Sequence, residues 1–389
     1  MNAMNKDKKQ PTPYFMPGEV VLQVRHPEVK QDELPDPQED PRLTILNAVK
    51  GFLQPSDQDK QAGDKASLSD QGWRSRLVPP ATVDKMMTVP VPDSSGRIFS
   101  LMPVRLSGYN TQASMDPDEV ISILREAHAD VENNGSPDLG RNASLQAIFP
   151  NWLTSTLHHG PPIGGPGSWP LPAAVPAKEK HRFLGDNALT GLLPQSLLAI
   201  HETRPRVVIL DTAPSPQELA RAYHEYPEHE ILKTMLGPNG KLKVYHATQE
   251  TLLDLMHFGP ASHQYWMPDH GLFVAGIIHT IACDVELHLY EVLGPYGVGS
   301  FTSVAQGLLD AIEQRGNHSL IINCSFMFDI PQAPVPGLDL PPALQEASIK
   351  SISDVFAWAT SREKVHVIAA AGNDAESSES RPKARFPAA

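Results

Sequence analysis

Three polar side chains stand at the ends of apolar runs. Asp211 closes "RVVIL" (206 to 210), His270 opens "HGLFVAGII", and Asn373 follows "VIAAAG". A carboxylate, an imidazole and an amide are the groups that orient a base, move a proton and hold a developing negative charge. Taken singly, each has an ordinary structural role: a turn or cap for the Asp, packing at a helix start for the His, a turn for the Asn. What matters is whether the elements around them bring them to one place.

From about residue 205 those elements alternate. "RVVIL", "VELHLYEVL" (285 to 293), "SLIINCSF" (319 to 326) and "VHVIAAAG" (365 to 372) read as strands. Helical stretches lie between them: the run after His270, "SFTSVAQGLLDAIEQRG" and "LQEASIKSISDVFAWAT". Strands apolar on both faces, separated by helices, predict an α/β fold with a parallel sheet. Functional residues of such sheets gather past the carboxyl ends of the strands, where Asp211 and Asn373 stand. "GPNGKLKVYHA" reads as a hairpin inside the long interval between Asp211 and His270, with "ELARAYHEYPEHEILKTML" beside it.

The first 140 residues read differently. "YFMPGEVVLQV" is a strand, and "DPDEVISILREAH" is a helix with Asp116 as cap, Pro117 in the first turn and Glu119 three residues on. Residues 31 to 75 are rich in Asp, Gln, Lys, Pro and Ser and read as a mobile insert. A Pro/Gly concentration at 160 to 177 excludes a regular element there.

Composition narrows the function classes. The formal charge of −13 opposes non-specific contact with nucleic acid or an anionic membrane surface. No export signal is legible at the N-terminus, and no apolar run approaches the roughly 20 residues needed to span a bilayer, so a cytoplasmic location is the default expectation. Cys283 and Cys324 make no disulfide framework and read as reduced, buried thiols. "HEYPEH" (224 to 229) has its histidines five apart with Pro227 between them, which does not suit a helical zinc motif; His158 and His159 read as surface loop. No metal ligands are expected.

"VVILDTAPS", "HGLFVAGII", "INCSF" and "VIAAAGND", in this order and context, resemble subtilisin-like serine peptidases; "ARFPAA" is similar to the segment that follows the oxyanion asparagine in that family. The resemblance covers roughly residues 145 to 389. It implies a three-layer αβα fold with a mainly parallel subtilisin-like sheet, truncated at its C-terminus, preceded by a small α+β region over residues 1 to 140 that resembles the inhibitory propeptides of the family. It also implies serine endopeptidase activity on a peptide or protein substrate. In this reading His270 is the general base, Asp211 its orienter and Asn373 the oxyanion donor, while Ser325, Phe326 and Met327 match the segment that pairs with substrate as an added strand beside the first specificity pocket. No cofactor is implied beyond calcium, for which no residues can be assigned.

Ala213, Leu272, Phe273 and Met327 depart from the family's pattern, and Met327 would narrow the first specificity pocket. The nucleophile is the largest departure: the family's Gly-Thr-Ser segment does not occur in the sixteen residues after Asn373. The 389 residues alone are therefore expected to be inactive, since loss of the nucleophile costs about a million-fold in subtilisin itself. The competing expectation is a non-catalytic remnant that keeps a peptide groove. A sheet stopped after "VHVIAAAG" also predicts open apolar surface on the His270 helix and near Ile368.

Overall fold

The computed structural model describes residues 15–28, 40–54, 72–89, 97–107, 117–140, 142–155, 205–238, 240–247, 267–282, 285–328, 330, 340–370 and 387. They form a mixed α/β protein of two compact units. Residues 15–153 and 330–351 belong to the first unit, residues 154–328 and 352–370 to the second. The change of unit along the chain thus falls at Leu153–Thr154, where the sequence had placed the start of the second region near residue 145.

The first unit is built on an antiparallel sheet. Strand β1 (Phe15–Pro27) is followed by helix α1 (Pro41–Leu53), β2 (Leu77–Val78), β3 (Met87–Val89), β4 (Arg97–Leu106), helix α2 (Pro117–Asn134), β5 (Asp138–Gly140) and β6 (Ala143–Ser155). β1 is central, with β4 on one side (Val20↔Val104, Val24↔Ser100) and β6 on the other (Val21↔Phe149, Ile148↔Leu22). β2 and β3 both add to β4. Val20, Leu22, Val24, Met102 and Val104 are buried, as are Ile45, Leu46, Val49 and Leu53 of α1 and Val120, Ile123, Leu124 and Ala127 of α2.

Over Pro41–Leu53, helix α1 corrects the expectation of a mobile insert at 31 to 75, while residues 31–39 and 55–71 of that interval lie outside the described residues. The four buried aliphatic residues recur at helical spacing, and Asp40 caps the helix by accepting from the Arg42 N–H at 2.9 Å. A short 3-10 turn, Trp73–Arg76, follows in the same interval. Its Trp73 indole and Arg74 guanidinium both donate to Asp130 of α2, at 3.0 and 2.8 Å, while Arg74 lies over the Phe52 ring of α1 at 4.3 Å.

The second unit carries the alternation read from the sequence: β7 (Arg206–Thr212), α3 (Pro216–Glu225), α4 (Glu230–Leu236), β8 (Leu242–Tyr245), α5 (His270–Ile281), β9 (Glu286–Leu293), β10 (Val298–Ser300), α6 (Phe301–Glu313), β11 (Leu320–Cys324), β12 (Met327–Phe328), the second part of α7 (Pro342–Ser361) and β13 (Val365–Ala369). The strands lie in the order β8, β9, β7, β11, β13, and every pair in that series is parallel. β8 therefore corrects the expected hairpin. Its Leu242 and Val244 run alongside Leu287 and Leu289 of β9 in the same direction, because the chain returns through α5 before β9 instead of folding straight back.

Every residue of β7 is buried. One face of the β7–β9 pair meets α5: Val207, Ile209, Leu287 and Leu289 pack with Leu272 and Ala275, and with Met235 of α4. The other face meets α6, where a Cβ on Gly307 would lie 2.4 Å from Val292 and 3.6 Å from Leu210. A capping box at Ser300 starts α6, with Ser300 and Ser303 bonded reciprocally. On the outer side of α5, Phe273, Ile277 and Ile281 recur every four residues and stand exposed, as does Ile368 of β13. Open apolar surface thus appears on the helix and the strand where the sequence predicts it.

Candidate functional site

Asp211 is the sixth residue of β7, and its side chain is wholly buried. A bare carboxylate there would be costly, so its oxygens need donors. The Thr212 N–H donates to Oδ1 at 2.7 Å, and the His270 ring places Nδ1 at 2.8 Å from Oδ1 and 3.0 Å from Oδ2. His270 is the first residue of α5, fifty-nine positions along the chain. Its ring keeps about a fifth of its surface open.

The helix start is tied down by the residue after the aspartate. Thr212 Oγ1 donates to the Met267 carbonyl at 3.0 Å and accepts from the Gly271 N–H at 3.3 Å. The Met267 N–H donates to the Pro295 carbonyl, and the His270 N–H to that of Met267. Gly271 is required by space: a Cβ there would sit 2.2 Å from the Thr212 carbonyl oxygen and 2.9 Å from the Asp211 Cβ. The glycine after the histidine is what lets the helix approach β7 closely enough for the ring to reach the carboxylate.

Burial alone would disfavour the His270 imidazolium. The Asp211 hydrogen bond and charge, with the charge of Asp269, outweigh burial and raise its pKa above the ordinary histidine value. Burial also raises the Asp269 carboxyl. Because a carboxylate faces Nδ1, that nitrogen carries the proton in the neutral ring and Nε2 has the lone pair. Among the described residues Nε2 has no hydrogen-bond partner. The arrangement suits an imidazole that accepts a proton at Nε2 and is stabilised, once charged, by the buried carboxylate behind it.

Strand β11 brings a second segment to the same end of the sheet, since Cys324 is the register partner of Leu210, one residue before Asp211. Ser325 follows it, half-buried, its hydroxyl accepting from the Asn323 amide at 2.8 Å. The Cys324 thiol is pushed up by burial and then by the Asp211 charge, so it remains protonated. Phe326 and Met327 are buried. The Met327 carbonyl accepts from Thr154 Oγ1 at 2.9 Å, and Met327 and Phe328 pair antiparallel with Ser155 and Thr154. Asn373 and Cys283 lie outside the described residues. Sequence reading therefore finds Asp211 and His270, which the structure joins, and the Ser325 segment, which it sets on the neighbouring strand. It misses Thr212, Asp269 and Glu291. Glu291 was visible as an acid within the apolar strand "LHLYEVL", a placement that costs desolvation.

No family model and no curated protein matches this chain. Among the described residues no group of three or more His, Cys, Asp or Glu side chains is arranged to hold a metal ion, and no helix is long and apolar enough to cross a membrane.

Proposed function

We propose that this chain carries the base and its orienter of a subtilisin-like serine endopeptidase, on a three-layer αβα domain preceded by a propeptide-like or accessory region over residues 1 to 140. One observation carries the reading: a fully buried Asp211 at the end of a central parallel strand holds His270 Nδ1 at 2.8 Å and leaves Nε2 unbonded among the described residues. In this mechanism His270 takes the proton of a serine hydroxyl as that oxygen attacks the peptide carbonyl, and returns it to the leaving amine. Asp211 holds the tautomer and stabilises the imidazolium without itself taking the proton. Asn373 is the proposed oxyanion donor. The substrate-strand role of Ser325, Phe326 and Met327 belongs to the same reading, in which the antiparallel pairing of Met327 and Phe328 with Ser155 and Thr154 provides extended backbone beside the segment.

The 389 residues contain no Gly-Thr-Ser triplet, so the serine would come from outside them. A fluorophosphonate probe, which requires an activated serine, tests the reading. The 389 residues alone are expected not to label. A chain extended through a Gly-Thr-Ser segment is expected to label, with strong loss in His270→Ala. Labelling of the short chain, or an extended chain that labels equally without His270, overturns the assignment.

A further inference from the structure

We propose that Glu291, hydrogen-bonded to His246, is a positioning residue that sets the basicity of His270 through its place beside Asp211. The inference rests on reading Asp211 and His270 as orienter and base. Asp211 and Glu291 are register partners on the parallel pair β7 and β9. Such partners lie about 5 Å apart between strands and share a face. The two preceding partner pairs, Val207 with Leu287 and Ile209 with Leu289, pack in one cluster under α5, so Asp211 and Glu291 extend the same face toward the start of that helix.

Both carboxylates are shielded from water, with side-chain exposures of 0% for Asp211 and 17% for Glu291. Each is bonded to an imidazole: His270 Nδ1 at 2.8 Å from Asp211, His246 Nδ1 at 3.1 Å from Glu291. Two carboxylate–imidazole pairs thus stand side by side on neighbouring strands. Charge on Glu291 adds to that of Asp211 in favouring a protonated His270, and the His246 hydrogen bond helps keep Glu291 ionised.

Asp211 of β7 and Asp269, which directly precedes α5, act on His270 directly, and further titratable groups surround those two carboxylates. Glu291 of β9 is the register partner of Asp211. Glu218 lies in the first turn of α3, and its charge is felt at both Asp269 and Glu291. His246 follows β8, and Cys324 on β11 contributes a neutral thiol. Burial holds the Glu291 carboxyl above the usual carboxylate range, opposed first by the His246 hydrogen bond and then by its charge. Glu291 is therefore the carboxylate whose charge depends most directly on a replaceable partner, and His246 is that partner.

A purely structural tie between β9 and the residues after β8 would alter stability without moving the titration of His270. The decisive measurement is the NMR titration of the imidazole Hε1 resonances in the 389-residue chain, which needs no nucleophile. Glu291→Gln keeps the shape and removes the charge, and should lower the His270 midpoint by about half a pH unit to one unit. His246→Gln weakens the partner that opposes the raised Glu291 carboxyl, leaves Glu291 less charged, and should lower the midpoint by a smaller amount. Asp211→Asn serves as the reference and should lower it further than Glu291→Gln. If Asp211→Asn moves the midpoint and both other variants leave it in place, the role of Glu291 is overturned while the Asp211–His270 pair stands. If Asp211→Asn also leaves it in place, the pair itself fails. Should Glu291→Gln not fold, His246→Gln, which alters a partly exposed side chain, decides the question by the presence or absence of the smaller downward shift.

Discussion

In the first unit the His26 ring places Nε2 2.9 Å from the Ser100 hydroxyl, a separation suited to a nucleophile and its base; in the second, His270 meets a carboxylate instead. The serine–histidine contact is the one that cannot react. Ser100 is 0% exposed and His26 3%, and Thr88 closes the far side of Ser100 at 2.9 Å. Behind His26, Nδ1 bonds the neutral Pro27 carbonyl at 2.8 Å. Burial therefore lowers its pKa, with the carbonyl opposing. Behind His270 stands a buried charge, and its pKa is raised. The charge behind Nδ1 and the access in front of Nε2, more than the presence of a serine, separate a candidate base from a core histidine.

The largest expected effect breaks this comparison if it fails. In a chain extended through the proposed Gly-Thr-Ser segment, His270→Ala should abolish fluorophosphonate labelling, a loss of orders of magnitude, as should Asp211→Asn to about 10⁴-fold in turnover. Ser100→Ala should leave labelling of the folded protein unchanged. It should instead lower stability by about 1 to 3 kcal/mol, because it strands the buried Nε2 of His26. Labelling that followed Ser100 would reverse the roles of the two histidines.

Acid and base should separate them next. The folded pKa of His26 is lowered, so the unfolded chain takes up that proton more readily, and the first unit should lose stability as pH falls below the ordinary histidine value. His288, buried on β9 and held down to about 4 by burial and then by Arg206, adds the same sign in the second unit, across pH 6.5 to about 4. His270 has the opposite sign. Its contribution is complete below the ordinary histidine value and is lost as pH rises through its raised folded value. Denaturant midpoints measured across this range should show the deficit of His270→Gln largest in acid and shrinking toward alkaline pH, whereas His26→Gln should flatten the acid-side loss.

A steric change comes third. Gly271→Ala places a Cβ 2.2 Å from the Thr212 carbonyl, a backbone atom that cannot swing away. The variant should lose about 1 to 3 kcal/mol by overpacking, and its His270 resonance should titrate nearer the ordinary value as the ring moves from Asp211. Chemical denaturation and the same NMR titration would read both effects.

β7 and α5 were legible because strongly apolar runs marked them and single polar residues stood out at their ends, but that Asp211 and His270 belong together was implied only by the family resemblance. α1 was not legible, since its apolar residues lie inside a longer interval rich in Asp, Gln, Lys, Pro and Ser, and burial of Ile45, Leu46, Val49 and Leu53 by tertiary packing decided the structure. β8 was misread for a related reason: Gly, Pro and Asn before it give a turn signal, but only the neighbour that the strand finds decides between a hairpin and a parallel pair. The Glu291–His246 bond was hidden because it joins residues 45 positions apart. The Ser100–His26 contact, 74 positions apart, was hidden in the same way.

The smallest expected effect sharpens the comparison most narrowly, because it makes one substitution at two places. Thr88 and Thr212 are each one step removed from a histidine: Thr88 bonds the serine that bonds His26, and Thr212 bonds the backbone on either side of His270. Thr88→Val removes one hydroxyl that donates to Ser100 and leaves Ser100 free to keep donating to His26 Nε2, so it should cost about 1 kcal/mol and leave the His26 titration in place. Thr212→Val should cost somewhat more, about 1 to 3 kcal/mol, because it strands the buried Gly271 N–H. The Met267 carbonyl then loses the hydroxyl and keeps the His270 N–H, so the ring should sit less firmly on Asp211 and the His270 midpoint should fall. A shift at His270 alone would show that the threonine beside Asp211 positions the ring. Stability losses with no shift at either histidine would show that both threonines act only in packing.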